Sequence, residues 1–545
     1  MINFVQRNPI ASLIITLVFL FLYQCLNLFW GFDVIDSGYH LTAFQNVFDA
    51  PESISANFSL YLTNLVGGGL LLVFPDMGVF HFRVVGAICV LIAIISIFFT
   101  LWKDIPIVHI LMGAALVVIC YVKMPYSFNN GILSCLLYVI ALLFLYKGIK
   151  SNSSLLILIC GFVVGLNIFT RIPNVLGVGL SFIILFYGKI FRKYDSFDWK
   201  RTICFIVGVG LGVGFVLLLM RLLGHLGIFT DSIRLLFSSG ISKGNNHSFS
   251  SLILSQLSFV LTNVVTILVF YALFHIHKKV SGGNVFLRYL FCTVAVLWVF
   301  CYVYDLDTSY RILWGMCAVG CMMCIFRCRQ CRQELSLLSL LALYMLVIEI
   351  MGSDFASNHG SLPALLAAPI GSMMILNRKR IVFLIAFILA VCTYAVRRGN
   401  YADDGPIYAK SSLIDSPKTK YILTTDEKAE AIDNTLKGIK SFVHSGDTLL
   451  CFPCAPMMNF LTNTYPAGGT CWPCIPGGSG SFVRPIEGTP MILFNKFSPY
   501  GNNWKEDFYK IDTMFNFDIK SFLVKNHYKK VYENDYFILF TNKVN

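Results

Sequence analysis

Apolar runs dominate the first 396 residues and recur at lengths close to the roughly 20 residues that a helix needs to cross a bilayer. They fall near residues 10–30, 81–101, 105–122, 131–146, 154–170, 174–191, 202–224, 251–276, 286–304, 311–326, 335–351, 361–376 and 380–396, which predicts about thirteen transmembrane helices. One further apolar stretch, SLYLTNLVGGGLLLVF, is broken by glycines and reads as an interfacial or re-entrant helix. Beyond residue 396 the hydropathy falls abruptly, and RRGNYADDGPIY reads as a linker. The remainder of the chain mixes short strands with helices. TDEKAEAIDNTLKGIKSFV has a Thr425 or Asp426 cap and helical apolar spacing, SGDTLLCF reads as turn and strand, and KKVYENDYFILFTN as a terminal hairpin. The expected fold is an α-helical polytopic membrane domain over 1–396, with an exoplasmic loop at 31–80, followed by a small α/β exoplasmic domain over 397–545.

Composition agrees with the pattern, since 57% of residues are hydrophobic and only 13% charged, against about a quarter charged in ordinary globular chains. Charge then sets the topology, because cytoplasmic loops hold the excess of Lys and Arg. With the N-terminus inside, Arg7, Lys103, Lys147, Lys150, the cluster from Lys189 to Arg201, Lys278, Lys279, Arg288, the Arg327, Arg329 and Arg332 group and Arg378 to Arg380 all fall on the cytoplasmic side. Treating SLYLTNLVGGGLLLVF as a span would spoil that alternation. The net charge of +13 therefore reflects topology, and nucleic acid is not an expected partner. The first apolar run ends in NLFWGFDVID without a small-residue cleavage site, so it is expected to stay as an anchor. An odd number of spans places the C-terminal domain on the exoplasmic side with loops 31–80 and 225–250, in a multi-pass membrane protein.

Candidate chemistry is concentrated on that side. GFDVIDSGYH carries Asp33 and Asp36 where the first span ends; Asp36 suits a general base or a metal ligand, and equally suits capping the helix that begins at YHLTAFQNVF. YDLDTSYR holds Asp305 and Asp307 in a DxD arrangement that fits either a divalent cation or a solvated loop. GSDFASNHG offers Asp354, Asn358 and His359 to a sugar or phosphate, or forms a polar turn. CFPC (Cys451, Cys454) and CWPC (Cys471, Cys474) have a spacing that suits zinc, while an oxidising exoplasmic compartment favours disulfides among the same residues.

A retained first helix, an acid-bearing first loop, about thirteen spans and a C-terminal soluble domain together resemble the GT-C class of membrane glycosyltransferases over nearly the whole chain, with the aminoarabinose transferase and the protein O-mannosyltransferases nearest in layout. Asp36 in DSGYH occupies the place of the family's acidic pair, with Ser37 replacing the second acid. HFRVVGAI, with His81 and Arg83, looks like its Arg-led second helix. TRIPNVL, with Arg171, Pro173 and Asn174, resembles its Arg-containing exoplasmic turn, and PMMNFLTNTYPAGG its short soluble-domain segment. MPYSFNNGI has Asn129 and Asn130 where many members place another acid.

The resemblance implies transfer of a sugar from a polyprenyl phosphate carrier to a glycan, lipid or protein acceptor, with Asp36 taking the acceptor proton. Negative charge develops on the departing phosphate, so the site needs cations. Arg171, Arg311 and Lys123 lie at span ends on the otherwise cation-poor exoplasmic face, placed either to reach a lipid phosphate or to snorkel; Arg83 and His359 complete the donor-side candidates. The alternatives are a transporter or flippase for lipid-linked glycans, which should show paired halves and broken helices, and a polysaccharide polymerase or ligase, which should lack a soluble C-terminal domain of this size.

Overall fold

The computed structural model describes residues 2–121, 127–192, 197–241, 306–328, 333–351, 361–375, 399–400, 403–473, 490–497 and 519–542, together with isolated residues between 250 and 290 and residues 388, 391, 392 and 504. Within these, long apolar helices run at Pro9–Leu28, Val79–Leu101, Asn130–Lys150 and Trp199–Leu222, with shorter ones at Ile107–Cys120, Ser154–Asn167, Ile312–Arg327 and Gln333–Ile348. Their ends follow local chemistry. Pro9 opens the first helix, and Asn129, Ser153 and Asp198 each cap a following helix by accepting a backbone N–H through the side chain. The expected spans at 251–276, 286–304 and 380–396 lie almost wholly outside the described residues.

Small residues bring the bundle helices together. Gly161 and Gly165 on one helix face Gly208 and Gly212 on another, and a Cβ at Gly161 would stand 2.1 Å from the carbonyl oxygen of Phe205. This is close backbone approach of the kind that membrane helices use when lipid supplies no hydrophobic drive between them.

The glycine-broken stretch forms a 3₁₀ segment, Pro51–Leu60, and a helix, Tyr61–Val73. At its start Ala56 N donates to Gly469 O of the C-terminal domain at 2.9 Å, and at its end Gly78 packs on the Lys418 carbonyl of the same domain. Both ends of the segment thus lie against the C-terminal domain, although the two pieces together, Pro51–Val73, are 23 residues and apolar enough to cross a membrane by length and composition. It lies against the helix Asp36–Asn46, with the Phe44 ring over Gly67 and Val47 over Gly68. The loop 225–250 includes another helix, Leu226–Ile241, which rests on the 3₁₀ segment.

The C-terminal domain holds a five-stranded mixed sheet in the order Tyr465–Pro466, Thr448–Phe452, Met491–Asn495, Phe537–Thr541, Lys529–Glu533. The first three strands pair in parallel, and the last two form the antiparallel terminal hairpin. Thr425 caps the helix Asp426–Ile439, whose Ala429, Ile432 and Ile439 are buried. This domain shares its core with the membrane part: Phe32, Val34, Ile35, Leu41, Phe44, Phe82 and Phe128 form one apolar cluster with Ile422, Ile432, Leu449, Met457, Leu493 and Phe537.

Candidate functional site

The turn at residues 29–35, between the first span and the acid-bearing helix, is held from two sides. From the membrane side the buried Arg83 donates through Nη1 to the carbonyls of Asn27, Leu28 and Trp30 at 3.2–3.3 Å, and through Nη2 to Gly31 O at 2.6 Å. From the other side Asp403 accepts Phe32 N at 2.7 Å and Thr424 Oγ1 at 2.8 Å, and pairs with Lys428 Nζ at 2.7 Å, all buried. Backbone bonds between Gly31 N and Leu423 O (2.8 Å) and between Leu423 N and Phe29 O (2.7 Å) complete the clamp.

Inside this clamp the two acids differ. Asp33, only 2% exposed, accepts Ile35 N at 2.8 Å and Ser37 N at 2.7 Å, so it ties down the start of the helix Asp36–Asn46. Burial pushes its pKa above the ordinary carboxylate value, against the pull of those two N–H groups and Arg83. Asp33 therefore supplies the cap, the alternative role that sequence leaves open for Asp36; no cap bond comes from the residue preceding Asp36. Asp36 stands half-buried in the first turn. One turn on, at the i+4 position, burial holds the His40 imidazole neutral by lowering its pKa to about 4, and His40 Nδ1 has no hydrogen-bond partner among the described residues.

The segment PMMNFLTNTYPAGG closes over this helix. Met457 N donates to Val34 O at 3.0 Å, Thr42 Oγ1 donates to Pro456 O at 2.8 Å, and Gly38 lies so close that a Cβ would stand 2.2 Å from Met457 N. Lys418 Nζ bridges Gln45 Oε1 (2.7 Å), Phe460 O (2.5 Å) and Asn463 Oδ1, and burial lowers its pKa to about 7. Trp472 meets Tyr39 edge to face at 5.7 Å.

Arg171 lies in a second buried cluster. Its Nη1 donates to Glu349 O at 2.8 Å and stands 3.5 Å from Glu349 Oε2, while Nη2 donates to Met351 O at 2.7 Å. The Glu349 carboxylate also accepts Ser134 Oγ at 2.5 Å, and Asn174 Nδ2 donates back to Ser134 Oγ at 2.7 Å, with Asn167 and Thr170 closing the network. Both clusters sit at the N-terminal end of the helix Asn130–Lys150. Leu133 packs in the apolar cluster of Leu41 and Phe44, and the next residue, Ser134, binds Glu349. The structure thus gathers Asp33, Asp36 and Arg83 around one turn and gives Arg171 its own protein partners. Asn129, at the position where related patterns carry an acid, is a helix cap that accepts Ile132 N at 3.0 Å.

Cys451, Cys454 and Cys471 are buried, and no disulfide joins any two of them, whereas disulfides among the CFPC and CWPC cysteines are one of the two expectations from sequence. Asn495 Oδ1 accepts Cys454 N at 3.0 Å, fixing the backbone after the strand, and Cys471 Sγ lies 3.7 Å from both Tyr39 O and Asn57 Oδ1. Burial raises the Cys471 pKa to about 12. Among the described residues no group of three or more His, Cys, Asp or Glu gathers as a metal site. Cys474, Lys123, Asp305, Asp354, Asn358 and His359 lie outside the described residues, as do the side chains of Asp307 and Arg311. Sequence reading missed Asp403, which sits in what looks like a linker, and Lys418 and Lys428, which look like surface lysines. DDGP and the helical spacing around Lys428 hold no signal that these charges are buried.

No protein-family model matches the chain, and no curated protein matches its sequence. Solved structures do match. Two structures of the Archaeoglobus fulgidus oligosaccharyltransferase, one with zinc and sulfate and one tethered by a disulfide to an acceptor peptide containing the NVT sequon, each superpose with a TM-score of 0.46 at 12% and 10% identity. These matches cover 93% and 84% of this chain and 69% and 64% of those chains. ArnT from Cupriavidus metallidurans, solved bound to undecaprenyl phosphate, superposes with a TM-score of 0.51 at 10% identity, covering 98% of each chain. With coverage that complete in both directions, the membrane bundle and the C-terminal domain correspond together, and this polytopic membrane protein has a GT-C-like fold.

Proposed function

We propose that the chain is a glycosyltransferase that moves a sugar from a polyprenyl phosphate carrier to a glycan, lipid or protein acceptor at the exoplasmic face of a bacterial inner membrane, with its N-terminus cytoplasmic and its C-terminal domain periplasmic. The observation that carries this reading is the acid-bearing turn: Asp33 fixes the start of a helix clamped by both parts of a GT-C-like fold, and Asp36 stands half-buried in the first turn of that helix. The ArnT structure binds undecaprenyl phosphate, which makes that class of carrier the first donor to test.

In the reaction Asp36 takes the proton of the acceptor hydroxyl, whose oxygen attacks the anomeric carbon while the bond to the carrier phosphate breaks, giving inversion. Charge then grows on the phosphate and must be met by cations. For Arg171 to serve there, it has to exchange Glu349 for the phosphate, because Nη1 and Nη2 are both engaged in the structure described. Arg83 acts one step back, positioning the acid-bearing turn.

The test is to incubate purified protein in lipid with radiolabelled polyprenyl phosphate sugars and a membrane extract, comparing wild type with Asp36→Asn. Label passing from carrier to acceptor, stopped by Asp36→Asn while donor binding persists, supports the reading. No donor consumed, or a fully active Asp36→Asn, overturns it.

A further inference from the structure

The first span, Pro9–Leu28, presents an apolar stripe to its surroundings: Ile14, Ile15, Val18, Phe19 and Leu22 are each more than half exposed, as a lipid-facing surface should be. That stripe does not stop at the end of the helix. Leu26, in its last turn, and Trp30, just beyond, form one wall of an open cleft of about 540 Å³, and the C-terminal domain forms the other with Ile407, Tyr408, Ser411 and Leu423. A residue of the C-terminal domain therefore stands beside the last turn of a membrane span, at the depth where hydrocarbon gives way to headgroups.

The same edge of the domain exposes large side chains that a water-facing surface would hide. Tyr408 is 80% exposed, Leu413 57% and Tyr421 45%. Tyr421 packs edge to face on Phe80 at 5.3 Å, and Phe80 is the second residue of the span Val79–Leu101, so this ring too lies at the level of a span end. Lys420 Nζ lies 5.0 Å above the Tyr421 ring. Tyr421 also has φ +73°, a left-handed backbone conformation that is unfavourable for a bulky aromatic and that turns the chain at this point. Tyr and Trp with a neighbouring Lys are the residue types that populate the membrane–water boundary, where an apolar ring and a polar tip are both satisfied.

We propose that residues 407–423 of the C-terminal domain are seated in the interfacial layer of the adjoining leaflet, and that the cleft between Leu26 and Tyr408 takes an acyl chain of a bilayer phospholipid. The domain is then a wall of the membrane surface around the first span. The occupant follows from continuity: the cleft extends the lipid-facing stripe of the first span, and its lining is apolar apart from Lys410, whose Nζ is bonded to the Asp403 carbonyl, and Ser411. This inference is independent of the transferase reading, because it needs no substrate.

Full-length protein carrying a photo-crosslinking benzoylphenylalanine at Tyr408, Leu413 or Val524 is reconstituted into nanodiscs of phosphatidylethanolamine and phosphatidylglycerol, with polyprenyl phosphate added at low mole fraction. Val524 is the control: it is 77% exposed on the helix Ile519–Lys525, whose neighbours Leu450, Ile492 and Ile538 form a separate core from the one facing the first loop. All three side chains are exposed, so the replacements leave the core intact. Phospholipid adducts by mass spectrometry at Tyr408 and Leu413, about tenfold above Val524, are expected of aromatic and aliphatic residues held in the interface. Labelling at 408 and 413 no greater than at 524, or adducts with the polyprenyl carrier alone, overturns the proposal.

Discussion

Asp33 and Asp36 lie three positions apart, and what separates them is backbone geometry. Asp33 accepts two N–H groups of the turn that follows it, so replacing it with Ala removes a cap and leaves those donors unmet. Asp33→Ala is expected to lower stability by about 1–2 kcal/mol. Asp36→Asn keeps the shape and changes only the ability to take a proton, so its melting temperature should stay close to wild type while transfer falls by about 100-fold or more. Thermal melting and the carrier assay, run on both variants, separate the two residues. Sequence alone placed an acid and a helix start in DVIDSGYH, but could not assign the cap: that depends on the turn conformation, which Arg83 and Asp403 impose from residues far along the chain.

Between elements, buried charges join pieces that the chain brings together late. The Arg171–Glu349 pair links the turn after the helix Ser154–Asn167 to the end of the helix Gln333–Ile348. Breaking a buried pair from one side leaves a charge without compensation, so Arg171→Met is expected to cost about 3–5 kcal/mol, and adding Glu349→Gln should recover part of it; melting of the purified variants reads both. Lys418 fastens the C-terminal domain to the helix Asp36–Asn46 through Gln45. Its pKa falls from 10.5 in the open chain to about 7 in the fold, so between those values the unfolded chain binds a proton that the folded chain has released. Stability should therefore rise as the pH is raised from 7 towards 10, and Lys418→Met should flatten that slope in melts recorded across the range. Helix positions were largely legible, because apolar runs and caps such as Asn129 and Asp198 are local signals. The pairing of Arg171 with Glu349 was not, because nothing near either residue records a contact across 178 positions.

At the level of the whole molecule, the C-terminal domain and the first loop are one packed unit. Gly38 marks one of the closest approaches, where any side chain would meet the Met457 backbone and force the domain to shift. Gly38→Ala is expected to cost about 1–3 kcal/mol, to speed proteolysis between the two parts and to reduce transfer, all measurable on the full-length protein. A variant as stable and as protease-resistant as wild type would show that this contact does not hold the domain in place.

What the amino-acid sequence determined by itself is the kind of molecule this is. Runs of apolar residues must leave water, which follows from transfer energies summed over neighbouring residues. The tertiary structure decided how the charges are used. Whether an aspartate caps a helix or pairs with a lysine, and whether a lysine is a surface residue or a buried bolt, both depend on which distant backbone arrives beside it. Such contacts are set by the packing of the whole chain, and no local pattern encodes them.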